Sequence, residues 1–305
     1  AGKRAGWPDF GRRGGAGMSD AASFQTGKGH KDENFPVASF ILKPEHRAPI
    51  LCFYRFARVG DDVADHAALS PDEKLALLEA MRATLAGESD ANPEALALRQ
   101  VLEARKLPAV HGLDLLKAFT QDATKTRYAD WGELIDYCRY SASPVGRFVL
   151  DVHGEDQALW PANDALCNAL QVINHLQDCA KDYAELDRVY LPEDALARAG
   201  IGVQALDAPR ASPELKGVIS ALAGQTAELL DRSRPFAAGI RDGRLAYEVA
   251  LILRLAESLT GWLEVRDPLS ERVHHRPWNV AGLAGLALMD RITSRGRAQL
   301  ASAAA

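Results

Sequence analysis

Carboxylates set at the ends of strongly apolar stretches constrain this chain more than any other feature. Asp61-Asp62-Val63-Ala64-Asp65 follows Ile50-Leu51-Cys52-Phe53-Tyr54, and Asn174-His175-Leu176-Gln177-Asp178-Cys179-Ala180-Lys181-Asp182 follows Leu170-Gln171-Val172-Ile173. On a helix Asn174, Asp178 and Asp182 recur every four residues and form one polar stripe, while Leu170, Ile173 and Leu176 point elsewhere. Asp61 and Asp65 repeat that design one turn apart, and Tyr54, Arg58 and Asp62 put a phenol and a cation near the same face. Carboxylates are not expected in such surroundings unless their charge is compensated. Two unit charges about 4 Å apart repel by roughly 4 kcal/mol at an effective dielectric near 20, so the acids of both clusters meeting in one cavity would repel by several times that. A cation between them resolves the conflict. Mg²⁺ suits the donors, because it takes hard oxygen ligands and is usually held by one or two carboxylates together with substrate phosphates. Taken singly, each cluster reads more readily as a solvated helix end; two clusters of one design favour a shared site.

The rest of the chain limits what such a site could serve. Its 305 residues suffice for one large domain or two average ones with a buried core. A formal charge of −5 argues against a nucleic-acid groove and against polybasic attraction to membranes. Cys52, Cys138, Cys167 and Cys179 show no CxxC spacing and read as free thiols of a reducing cytoplasm. No apolar run reaches 18 residues, and Val280 to Met289 is the nearest approach, so no membrane span is expected.

Along the chain, residues 1–33 are rich in Gly, Ala, Arg and Lys without helical periodicity and read as a disordered tail, with Met18 as the natural start and 1–17 additional to it. Residues 34–298 read as one all-α domain and 299–305 as a short C-terminal tail. Pro44-Glu45 opens a helix that bends at Pro49 and runs to the acids at 61–65. Ser70-Pro71-Asp72-Glu73 is a capping-box start for a helix ending at Leu85, and Asn92-Pro93-Glu94 starts another running to Arg105. Further helices are predicted over Leu113–Tyr128, over Trp131–His153 with a kink at Pro144, over Asp164–Leu186, and at about 214–238, 243–265 and 279–298. No strand alternation of useful length and no internal repeat appears, so the helices must bury their apolar stripes against one another.

Taken together, these motifs resemble the squalene/phytoene synthase family. The likeness covers residues 34 to 280. It is carried by Tyr54-Arg55-Phe56-Ala57-Arg58 leading into Asp61-Asp62-Val63-Ala64-Asp65, by Tyr137-Cys138 through Gly146, and by Asn174 through Asp182 followed by Asp187-Arg188-Val189-Tyr190-Leu191-Pro192. Glu33-Asn34-Phe35-Pro36-Val37-Ala38-Ser39, Ser141-Ala142-Ser143-Pro144-Val145-Gly146-Arg147 and Leu176-Gln177-Asp178 are most similar to the bacterial branch that makes hydroxysqualene for hopanoids. The resemblance implies an isoprenoid synthase fold with helices around a central cavity, the two Asp-rich helices facing each other at its mouth, Mg²⁺ between them and an apolar channel below. It also implies a reaction: presqualene diphosphate loses diphosphate, the cation rearranges, and water quenches it as hydroxysqualene, with no NADPH. Two other readings stay open: condensation of two farnesyl diphosphates to presqualene diphosphate, squalene or a phytoene-like product, and a non-catalytic assembly protein that keeps the fold.

On that resemblance Asp61, Asp65, Asp178 and Asp182 are the expected metal ligands, with Asp62 nearby in a catalytic role. Arg58 and Arg188 are the expected diphosphate contacts, with Lys181, Asn174, Gln177 and Tyr54 as further substrate contacts. For each basic residue alone a salt bridge to a neighbouring Asp is an equal reading. Tyr140 is matched to the family tyrosine near the reacting carbons, where a phenol relays a proton or its ring face stabilises a cation, and Tyr137 shares that surface. Gln121 and Asp122 read as core packing ahead of function. His274-His275 reads as a surface pair, and Ser141 and Ser143 lack a His base for nucleophilic work. The expected partners are a prenyl diphosphate substrate, other squalene-pathway enzymes for hand-over, and the inner face of the cytoplasmic membrane as a peripheral surface; no nucleic acid is expected.

Overall fold

The computed structural model describes residues 42–275 and 282–287. The expected tails and most of the predicted 279–298 helix lie outside the described residues. Among the described residues every regular element is helical.

Side-chain caps start the helices where the sequence places them. Ser70 and Glu73 form the reciprocal capping box at the head of α2 (Pro71–Leu85), and Asn92 accepts from Ala95 N at 2.8 Å at the head of α3 (Pro93–Arg105). Asp130, Ser212 and Asp242 do the same for α5 (Trp131–Ser141), α10 (Pro213–Ser233) and α12 (Gly243–Leu263). α1 (Pro44–Ala64) runs unbroken through Pro49. α4 (Val110–Asp122) stops before the predicted Tyr128; residues 125–130 leave the helix and take backbone hydrogen bonds from Val189 and Glu193.

Two predicted long helices are each divided. The break near Pro144 falls at Ala142, whose φ of −124° and ψ of −47° leave the helical region, so α5 is followed by a separate α6 (Ser143–His153) with Pro144 in its first turn. Proline fits there because its missing N–H would have no intrahelical partner anyway. The acid helix divides at Asp178 into α7 (Trp160–Gln177) and α8 (Cys179–Leu186), although Asp178 N and Asp182 N still bond one turn back, at 2.9 and 2.8 Å. The Ala-rich segment after Pro192 holds a short helix, α9 (Glu193–Arg198), and a 3₁₀ turn at 203–207. Between α10 and α12 lies the one-turn α11 (Phe236–Gly239).

α1 packs on α2, α3, α4 and α6, while α7 packs on α5, α6, α10 and α12. The two halves meet along α5 and α6, and one hydrophobic core runs through both. Close helix approach depends on glycine at two places. A Cβ on Gly60 would sit 2.6 Å from the Phe119 ring, and one on Gly146 would sit 2.0 Å from Asn163 Oδ1 and 2.6 Å from Cys167 Sγ. The four cysteines are free thiols. Residues 282–287 are helical and lie on α12, where Tyr247 donates to the Ala284 carbonyl at 3.1 Å.

Candidate active site

α1 ends in Asp61, Asp62 and, as its C-cap, Asp65, with no basic residue in its last turn. A helix C-terminus already carries about half a negative charge, so this is the costly end at which to gather carboxylates. Two arginines answer that charge. Arg58 reaches Asp61 and Asp62 at 2.7 Å each. Arg188, buried, reaches Asp65 at 2.9 Å and also donates to the Asp122 carbonyl at 3.0 Å.

Arg188 follows α8 directly, so its pair with Asp65 ties the second acid segment to the end of the first. The turn into it uses Asp187 at φ 49°, with Arg127 holding that residue at 2.5 Å, and Val189 N then bonds the Thr126 carbonyl at 2.9 Å. The acids of the two segments feel each other. Burial, then the charges of Asp178 and Asp65, push the Asp182 carboxyl up to about 7. Burial and the Asp65 charge do the same to Asp61, against the pull of Arg58, again to about 7. Like charges competing in a desolvated place produce such shifts, and an added cation would relieve them.

Beneath this mouth lies a hollow of about 290 Å³, at the lower end of ligand-pocket size. Five helices wall it: Ile50, Phe53, Tyr54, Ala57, Arg58 and Asp61 come from α1, Leu115 and Phe119 from α4, Tyr137 and Ser141 from α5, Val145, Phe148 and Val149 from α6, and Gln171 from α7. The wall is mainly apolar, and Phe53 stacks on Phe148 with ring centroids 4.1 Å apart. Arg58 and Asp61 are therefore shared between the hollow and the acid mouth.

Behind Tyr137 stands a buried polar core that sequence reasoning assigned to packing. Tyr137 donates to Asp122 at 2.8 Å, Tyr190 donates to the same carboxylate at 3.4 Å, and Arg188 Nη1 donates to the Tyr190 hydroxyl at 3.3 Å. Burial pushes Asp122 up to about 6 despite the Arg188 charge and the Tyr137 hydrogen bond. His175 stacks on Tyr190 at 3.4 Å; burial, helped by Arg188, drives its pKa down to about 3, so the ring is neutral. His175 and Tyr190 lie inside the sequence motifs but carry no expected role there, and Asp122 reads by sequence as packing ahead of function.

Several expected site residues stand elsewhere. Tyr140 is 39% exposed, lies under the Lys117 ammonium at 5.3 Å and does not line the hollow; Tyr137, three residues earlier on α5, holds that place. Gln177 is buried and donates to the Val273 carbonyl, which makes it a tie between α7 and the chain after α12. Lys181 points to solvent beside Glu185 at 3.9 Å. Asp62 is 5% exposed and held by Arg58, a place that suits positioning the arginine better than touching substrate. Asn174 is half-buried on α7 one turn before Asp178. His274 and His275 are half-buried, not surface residues, and His275 packs on Trp262 at 4.7 Å and bonds the Leu255 carbonyl at 3.1 Å.

The squalene/phytoene synthase profile matches residues 28–279. The chain belongs to the squalene/phytoene synthase family. It is 54% identical to the hydroxysqualene synthase of Zymomonas mobilis over 90% of this chain and 93% of that one, and 53% identical to the hydroxysqualene synthase of Rhodopseudomonas palustris over 85% and 89%. The crystal structure of squalene synthase HpnC from Alicyclobacillus acidocaldarius superposes with a TM-score of 0.66 at 32% identity, covering 79% of this chain and 90% of that one. The all-α isoprenoid synthase fold expected from the resemblance is therefore the fold observed, and the chain is an enzyme of the squalene/phytoene synthase family.

Among the described residues no three His, Cys, Asp or Glu side chains stand together as a ready metal site. The donor set fits Mg²⁺ all the same. That ion needs only one or two carboxylates when phosphate oxygens complete its shell, and Asp61 and Asp182 are hard donors whose raised pKa values mark unrelieved negative charge.

Proposed function

We propose that the protein converts presqualene diphosphate to hydroxysqualene, releasing diphosphate, with Mg²⁺ and without a nicotinamide. The observation that carries the proposal is the hollow itself: an apolar chamber that shares Arg58 and Asp61 with a mouth of opposed carboxylates and a second arginine. The relatives at 54% and 53% identity, named hydroxysqualene synthases, support the product in this reading.

In this reading Asp61 and Asp65 on one side and Asp178 and Asp182 on the other hold the metal, and Arg58 and Arg188 turn from their aspartates to the diphosphate oxygens. Mg²⁺ bound there would neutralise the charge that develops on the departing diphosphate. Arg58 and Arg188 add fixed positive charge at the same oxygens, where electrostatic stabilisation lowers the ionisation barrier. Phe53, Phe148, Val145 and Leu115 keep water from the cation that remains. Tyr137, fixed by its hydrogen bond to Asp122, lines the chamber with an aromatic ring that can stabilise positive charge. Asn174 and Tyr54 complete the substrate contacts.

No helix among the described residues is long and apolar enough to cross a membrane. Uptake of so apolar a substrate at the inner face of the cytoplasmic membrane, or by hand-over from the enzyme that makes it, belongs to the same proposal.

The deciding experiment incubates the full chain with presqualene diphosphate and Mg²⁺ in the absence of nicotinamide, with products read by mass spectrometry. Hydroxysqualene is the expected product. Recovery of unchanged substrate overturns the proposal, and efficient consumption of farnesyl diphosphate alone would move the assignment to the condensation reaction.

A further inference from the structure

An apolar chamber that makes an alcohol must admit one water and aim it. Polar groups in the wall of the hollow are few: Tyr54, Arg58, Asp61, Tyr137, Ser141 and Gln171. Arg58 and Asp61 hold each other, Tyr137 holds Asp122, and Tyr54 also has a partner. That leaves two. The Ser141 hydroxyl is shut away from solvent and has no hydrogen-bond partner, and for a hydroxyl to lie buried and unmatched is uncommon. Gln171, on α7, brings the second, a side-chain amide that is half-buried in the same wall.

Ser141 is the last residue of α5, one turn beyond Tyr137, and the helix breaks at Ala142 immediately after it. The residue lines the hollow, so its unmatched hydroxyl lies at that wall. A serine offers one donor and two acceptor positions and a glutamine amide offers both kinds, so together they can hold a water and leave one of its lone pairs directed into the chamber.

We infer that Ser141 and Gln171 bind the water that quenches the carbocation, and so set where and on which face the hydroxyl forms. The inference rests on the reaction proposed above. The step balances without a further reactant. Diphosphate leaves with the bonding electron pair, the water oxygen donates a lone pair to the cationic carbon, and the proton lost from the resulting oxonium passes to the released diphosphate, the base produced in the same turnover.

The test compares wild type with Ser141→Ala and Gln171→Leu, using the full chain, presqualene diphosphate and Mg²⁺, and reads diphosphate release, product ratio and enantiomeric purity of the alcohol. In each variant diphosphate is still released, but the ratio of hydroxysqualene to elimination products falls by about three- to tenfold, the worth of one hydrogen bond to the attacking water, and the alcohol loses enantiomeric purity. A variant that folds and gives the wild-type ratio and purity overturns the inference. A uniform fall in all products, with the ratio fixed, also overturns it, since that is what a purely structural serine would give. If wild type itself releases no diphosphate from this substrate, the reaction assignment fails and the inference falls with it, an outcome separate from the other two.

Discussion

Of two tyrosines three residues apart on one helix the sequence reading put Tyr140 first, and burial favours Tyr137 instead. Tyr137 is buried, bonded to Asp122 and set in the chamber wall, whereas Tyr140 faces solvent under Lys117. Tyr137→Phe removes the shortest hydrogen bond to Asp122 and leaves it the long Tyr190 bond and Arg188 at 3.8 Å, so stability should fall by about 1–3 kcal/mol and turnover by about tenfold or more. Tyr140→Phe should stay within about twofold of wild type; equal losses in the two variants would show that burial is the wrong criterion. His175 supports a second residue-scale prediction. Its folded pKa, near 3, lies below the ordinary 6.5, so the unfolded chain binds the proton first and stability is lost as pH falls below about 6.5. At pH 5 that loss is about 2 kcal/mol, order of magnitude. His175→Phe keeps a ring against Tyr190 and removes the titration. The difference in melting temperature between variant and wild type should therefore grow from pH 8 to pH 5, and a difference that stays constant would refute the assignment. Asp61, Asp122 and Asp182, whose raised values act in the opposite direction, are common to both proteins and cancel.

At the scale of elements, helix starts marked by a cap and a proline were legible. Those of α4 and α7, which begin three and four residues before the predicted Leu113 and Asp164, were not, and interruptions were only partly so. Ser70, Asn92 and the prolines after them carry their own local signal, and α1, α2 and α3 begin where that signal lies. The division at Ala142 was announced by Pro144 two residues later, though its extent was not. Nothing local announces the break at Asp178, because a stripe spaced by four looks the same whether the backbone is ideal or bent at one residue. The early end of α4 is tertiary: residues 126–130 are drawn out of helix by the backbone of 189–194, which no neighbouring residue could foretell. Gly146 illustrates packing hidden inside a motif. The sequence suggested a weak point beside a kink, but its missing side chain lets α6 lie on α7 at Asn163 and Cys167. Gly146→Ala should force those neighbours apart at a cost of about 1–3 kcal/mol. For a chain of this size that is a fall of about 2–4 °C per kcal/mol in melting temperature, read by calorimetry. An unchanged melting temperature would mean that Asn163 swings aside freely.

Across the whole molecule, the unusual arrangement is that two acid segments from separate halves of the chain share one mouth and are joined there by Arg188 on Asp65. The acids were visible in the sequence because carboxylates are conspicuous among apolar residues. The buried support beneath them, Asp122 with Tyr190 and His175, was not, since these are single residues from α4, α7 and the segment after α8 that only the fold brings together. Arg58 holds Asp61 and Arg188 holds Asp65, so a metal ion alone would have to compete with an arginine for each of these carboxylates. Diphosphate alone would meet the carboxylates. Together the two ligands exchange partners, arginine to phosphate and aspartate to metal, so thermal stabilisation should require both. At concentrations about 100 times the dissociation constant the gain is about 2.7 kcal/mol. Because Asp61 and Asp182 must give up protons held with pKa values of about 7, the gain should shrink as pH is lowered from 8 to 6. Asp61→Asn and Asp178→Asn should each remove most of the stabilisation and abolish turnover while the helical circular dichroism stays intact. Full stabilisation by Mg²⁺ alone, or its survival in either variant, would mean that the two segments do not grip a common metal–diphosphate unit, and the chamber would lack the means to ionise its substrate.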